Sequence, residues 1–139
     1  MLLSEEQTLI RDTARAYFQD KLMANLKAGD EILITWMEHH ANVVPWYQLA
    51  AQTGAVIKRI ELNADGTLHL DDLNQLITQR TKLVAVTQMS NTLGTVVPVK
   101  EVTRIAHARG IPVLIDGAQG ARFIAFLGRV LSDIRRLVL

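Results

Sequence analysis

The chain has 139 residues, enough for one domain with a core, and 49% hydrophobic against 21% charged residues is the composition of a folding rather than a disordered sequence. A net charge of +1 gives no basic field for nucleic acid or an anionic membrane, and zero cysteines exclude disulfides and thiolate metal sites and suit a reducing compartment. No apolar stretch approaches the roughly 20 residues that cross a bilayer, and the polar Ser4-Glu5-Glu6-Gln7 start lacks the basic-then-apolar pattern of a secretion signal, so a cytoplasmic location is expected.

Residues Ser4 to Leu22 read as a helix, with Ser4 and Gln7 as a capping box and Leu9, Ile10, Ala14, Tyr17 and Phe18 as one apolar stripe. Gly29-Asp30 is a turn, and Glu31 to Thr35 is a short, branched apolar run that predicts a buried strand. A helix is expected from about Asn42 to Gln52, stopped by Gly54, followed by a strand over Ala55 to Ile60. Asn63-Ala64-Asp65-Gly66 is turn chemistry, and Leu70 to Thr78 a short helix. Then come a strand over Leu83 to Thr87, a loop through Gly94, a helix from about Val99 to Arg109, and a strand over Pro112 to Ile115. Residues Phe123 to Leu139 space their apolar side chains as an amphipathic helix. Apolar strands alternating with helices predict an α/β fold, a mostly parallel sheet with helices on both faces and an extra helix at each end.

Ligands of open α/β sheets bind beyond the carboxyl ends of the strands, which directs attention to three loops. Asp116 follows a buried strand and could pair with a protonated ring nitrogen, although an Asp-Gly there also serves as a turn or cap. His39 and His40 are adjacent, so their side chains diverge and a shared metal is not expected; such a pair is otherwise a solvated or capping one. Asn91 lies in the loop after the Leu83 strand, where an Asx turn is the local alternative. His69 and His107 have no comparable context and are expected at the surface.

In this order, Glu38-His39-His40-Ala41-Asn42, Ser90-Asn91-Thr92-Leu93-Gly94-Thr95 and Asp116-Gly117-Ala118-Gln119 resemble the cofactor site of class V aminotransferases, most closely the SUF-type cysteine desulfurases. The likeness runs over about residues 24–119. It implies part of the large domain of a fold type I pyridoxal phosphate (PLP) enzyme, with L-cysteine as substrate and alanine plus an enzyme persulfide for iron-sulfur assembly as products. It further implies that Asp116 contacts the pyridine nitrogen, Asn91 and Gln119 the ring hydroxyl, and that His39 stacks on the ring.

The sequence also departs from that pattern. Residues before Ala24 hold no Gly-rich or Thr-rich phosphate loop, and Leu3 to Tyr17 instead resemble the first helix of acyl-CoA dehydrogenases. The family's S-x-H-K segment, whose Lys holds PLP as a Schiff base, has no counterpart among Lys21, Lys27, Lys58, Lys82 and Lys100, and the nucleophilic Cys is absent. The resulting expectation is a single partial domain over 1–139: a foreign helix over 1–23, a desulfurase-like core over 24–119 and a divergent helix over 120–139. It would bind PLP weakly or not at all and would be inactive alone. The alternative is a non-catalytic α/β module acting through self-association.

Overall fold

The computed structural model describes Leu22 and residues 24–120. The helices expected over Ser4 to Leu22, save Leu22 itself, and over Phe123 to Leu139 lie outside the described residues.

Four strands, β1 (Glu31–Thr35), β2 (Val56–Ile60), β3 (Thr81–Thr87) and β4 (Val113–Asp116), form one parallel sheet in the order β2-β1-β3-β4. Helices α1 (Val44–Thr53), α2 (Leu70–Leu76) and α3 (Val99–His107) make the crossovers that parallel strands require. The two-residue period of the central strands divides the core between the sheet's faces. Ile32, Ile34, Leu83 and Ala85 pack with Trp46 and Leu49 of α1 and with Leu22 and Leu26. On the opposite face Leu33, Val84 and Val86 pack with Leu73 of α2 and with Val102, Ile105 and Ala106, the one-turn stripe of α3. Both faces are thus covered, and β1, buried along its whole length, and β3, buried at every position but Lys82, read as continuous apolar runs.

Several boundaries differ from those expected. The helix expected from Asn42 begins at Val44, because His40–Asn42 forms a separate 3-10 turn and Pro45, lacking an N–H, suits only a first helical turn. Gly54 ends α1 as foreseen, at φ 77°, and a Cβ there would meet the Cβ of Ala28 at 2.9 Å. Strand β2 starts at Val56 rather than Ala55, α2 stops at Leu76 rather than Thr78, and α3 at His107 rather than Arg109. Strand β3 begins two residues early, at Thr81, which pairs with Glu31; Lys82 is then the extra residue of a bulge. Strand β4 is shifted by one residue, to Val113–Asp116, because Pro112 has no N–H for the ladder; its carbonyl accepts from Val84 N at 3.1 Å. Asp116 is therefore the last rung of the sheet, opposite Thr87, instead of the first loop residue.

At the amino ends of the strands Glu31 ties the layers together. Its Oε1 is 2.7 Å from Lys58 Nζ on β2, and its Oε2 accepts from Thr78 Oγ1 at 2.7 Å and Thr81 Oγ1 at 3.2 Å. At the outer edge, the Arg59 guanidinium lies 3.8 Å from the centre of the Trp36 ring and donates to Tyr47 OH at 3.0 Å, while Trp36 Nε1 donates to Glu61 Oε1 at 3.0 Å.

Burial pushes the Glu31 carboxyl up, but hydrogen bonds from Lys58, Thr78 and Thr81 and the charge of Lys58 more than offset it, so its pKa falls below the ordinary 4.5. A carboxylate with a depressed folded pKa stabilises the fold above its unfolded value, and that stability is lost as pH falls through the folded one. The stability gap between the wild type and Glu31→Gln should therefore be widest above pH 4.5 and narrow as pH falls, as read from urea midpoints across that range.

Candidate functional site at the carboxyl ends of the strands

Parallel pairing places the carboxyl ends of β1, β3 and β4 at one rim, with Thr35, Thr87 and Asp116 as their last residues. The loops leaving this rim carry His39, Asn91 and Gln119, so all four residues singled out in the sequence belong to it. No hydrogen bond joins any two of them among the described residues.

Asp116 is half-buried at the end of β4. Its Oδ1 accepts from Ala118 N at 3.0 Å, the turn role foreseen for an Asp-Gly, while its Oδ2 has no partner among the described residues. Its carbonyl accepts from Gln88 N at 2.8 Å, continuing the ladder past Thr87. Gly120 packs against buried Gln88, whose amide occupies the space that a Cβ at 120 would take. Gln119, next to it, is exposed.

His39 caps the 3-10 turn: its Nδ1 accepts from Ala41 N at 3.2 Å, so the neutral imidazole carries its proton on Nε2. Both His39 and His40 are exposed, with ring centres 6.0 Å apart and planes at 62°, an edge contact rather than a chelating pair. No group of three or more His, Cys, Asp or Glu residues among the described residues could hold a metal ion. His69 sits beside Asp72 at 2.9 Å, its backbone N–H donating to Glu61 O just past the end of β2, and His107 is exposed at the end of α3.

The loop after β3 is closed by Ser90, not by Asn91. Buried Ser90 Oγ accepts from Thr92 N at 3.3 Å and Leu93 N at 3.1 Å, its N–H donates to Thr95 O at 2.9 Å, and Gly94 makes the return at φ 72°. The Asx-turn alternative for Asn91 is thus taken up by its neighbour, and the exposed Asn91 amide stands at the loop tip.

The sequence reading missed the residue that organises the rim. Glu38 Oε1 accepts from Thr35 Oγ1 at 2.6 Å and from Thr87 N at 2.8 Å, joining the ends of β1 and β3. Its Oε2 accepts from Asn42 Nδ2 at 2.6 Å, and Asn42 Oδ1 in turn accepts from Trp46 Nε1 at 3.1 Å. The signal was present as Glu38, Asn42 and Trp46, polar groups spaced four apart across a helix start. Burial raises the Glu38 pKa; the hydrogen bonds from Thr35, Thr87 and Asn42 oppose this without cancelling it, and the charge of nearby Asp116 adds to the rise.

The comparisons with known proteins agree with this geometry. The aminotransferase class-V family matches residues 13–125, beginning inside the expected Ser4 to Leu22 helix and ending inside the Phe123 to Leu139 segment. A cysteine desulfurase of Synechococcus elongatus is 46% identical over 128 residues, covering 88% of this chain and 20% of its own length. The structure of the cysteine desulfurase CsdA from Escherichia coli superposes with a TM-score of 0.69 at 43% identity, covering 72% of this chain and 25% of that one. A mutant of C-DES with glycine covalently linked to its PLP cofactor superposes with a TM-score of 0.63 at 26% identity, over 70% of this chain and 27% of that one. The chain thus spans between a fifth and about a quarter of the length of these relatives, and its sheet is that of PLP fold type I enzymes.

An acid with a raised folded pKa binds its proton more tightly folded than unfolded, so its contribution to stability falls as pH rises from the unfolded value through the folded one. Stability measured by urea unfolding should carry such a downward slope above pH 4.5, and Glu38→Gln should remove it. With its fold, rim and relatives in agreement, the chain belongs to the aminotransferase class-V family.

Proposed function

We propose that the rim is one half of a PLP site and that the chain carries the ring-binding part of a cysteine desulfurase. The observation that supports this best is Asp116, a half-buried carboxylate on the last rung of β4 with one oxygen engaged and the other free among the described residues. That donor set fits a protonated pyridine nitrogen, for which an anionic acceptor at a strand end is the natural partner. PLP, when bound, supplies the electron sink for carbanion chemistry on L-cysteine. Asp116 would hold a proton on the ring nitrogen. His39, exposed and protonated on Nε2, would lie over the ring and move a proton at that atom. Asn91 and Gln119, both exposed at the rim, would orient the ring through its hydroxyl.

In a whole desulfurase these groups would serve removal of sulfur from L-cysteine, leaving L-alanine and an enzyme persulfide for iron-sulfur assembly in the cytoplasm. The 139 residues contain no cysteine, and none of their five lysines follows Asp116, so they carry no turnover by themselves. PLP titration followed by visible absorbance should give saturable binding with a spectral shift that Asp116→Ala abolishes. Borohydride reduction and peptide mapping that finds only scattered lysine labelling, without saturation, would overturn the reading.

A second reading, a non-catalytic module that self-associates, is favoured by the outer side of β4. Among the described residues no strand pairs there, and Leu114 borders an open groove of about 450 Å³ with Pro45, Trp46 and Leu49. On this reading the sedimentation coefficient should climb with protein concentration, whereas a constant monomer value would sink it.

A further inference from the structure

We propose that Glu38 is the positioning residue of the rim: accepting on one oxygen from Thr35 and Thr87 and on the other from Asn42, it fixes the His39 loop to the ends of β1 and β3. What the loop is held for rests on the PLP reading; that Glu38 holds it does not. The argument turns on the direction of the hydrogen bonds. Trp46 Nε1 can only donate, so Asn42 must turn its Oδ1 toward Trp46 and its Nδ2 toward residue 38. Thr87 N can also only donate, and it addresses the other oxygen of residue 38. Position 38 is therefore met by donors on both oxygens, and only an ionised carboxylate is acceptor at both.

Glutamine cannot substitute. Placed one way its amide nitrogen faces Asn42 Nδ2; placed the other way it faces Thr87 N, and turning Asn42 over sets its nitrogen against Trp46 Nε1. The chain of bonds can nevertheless be reversed in polarity. With Glu38→Gln and Asn42→Asp together, the glutamine amide donates to one aspartate oxygen while the other still accepts from Trp46, and the carbonyl at 38 still accepts from Thr35 and Thr87. Net charge is unchanged. Because Glu38 adjoins His39 in sequence and its β3 partner Thr87 pairs with Asp116, the same bonds set the imidazole and the carboxylate relative to one another.

The test uses isotope-labelled protein without cofactor, read by the His39 imidazole resonances and the exchange rate of the Thr87 amide, followed by PLP titration of the same samples. Glu38→Gln should displace the His39 signals and speed Thr87 exchange by about tenfold or more, the factor a hydrogen bond of ordinary net strength represents. Adding Asn42→Asp should return both toward wild type. Unchanged His39 signals in Glu38→Gln, or a double variant no better than the single one, would overturn the proposal. If Glu38→Gln does not fold, a folded double variant with wild-type His39 signals supports it and an unfolded one overturns it. Wild type that never binds PLP would sink the PLP reading alone, since the cofactor-free signals still judge Glu38.

Discussion

A carboxylate taken out of water must find donors, and Glu38 finds three on three separate segments: the end of β1, the end of β3 and the turn before α1. The bonds are short, at 2.6 to 2.8 Å. They convert a loop that leaves a sheet into one whose exit is fixed to two strand ends. His39 is exposed, and the part-buried Glu38 beside it is what ties its loop to the ends of β1 and β3.

The two ends of the sheet solve the same problem in opposite ways. Glu31 at the amino ends crosses strands as Glu38 does at the carboxyl ends, but it has Lys58 at 2.7 Å, and its pKa falls. Glu38 has no cation beside it: burial raises its pKa, its neutral donors offset this only in part, and the charge of Asp116 adds to the rise. A compensated carboxylate is suited to fastening structure. An uncompensated one keeps the charge of Asp116 as a repulsive neighbour at the same rim.

The sheet itself was largely legible in the sequence, because Glu31 to Thr35 and Leu83 to Thr87 are too short and too branched to be anything but buried strands, and the helices between them enforce parallel pairing. Boundaries were less so where side chains overrule pattern: Thr78 and Thr81 each add a bond to Glu31 to the local turn bonds they accept, and Pro112, with no N–H, leaves the strand to begin at Val113. At the rim, His39, Asn91, Asp116 and Gln119 were singled out by their loops and by resemblance, and the structure places them at the same ends of the strands. Glu38 escaped because its partners Thr35 and Thr87 lie on different strands, and sequence spacing reports neighbours along a helix, not acceptors shared across a sheet.

The outer strand β2 presents Lys58 and Arg59 in sequence, with the Arg59 guanidinium lying over the Trp36 ring and donating to Tyr47 OH. Extending the sheet on that side would mean stripping water from a cation and displacing its aromatic seat, whereas β4 on the other side has Val113, Leu114 and Ile115 leading to its terminal acid. Among the described residues the two margins of the sheet therefore differ in kind: a cation seated on aromatic rings lies along one, and a short apolar run that ends in Asp116 lies along the other.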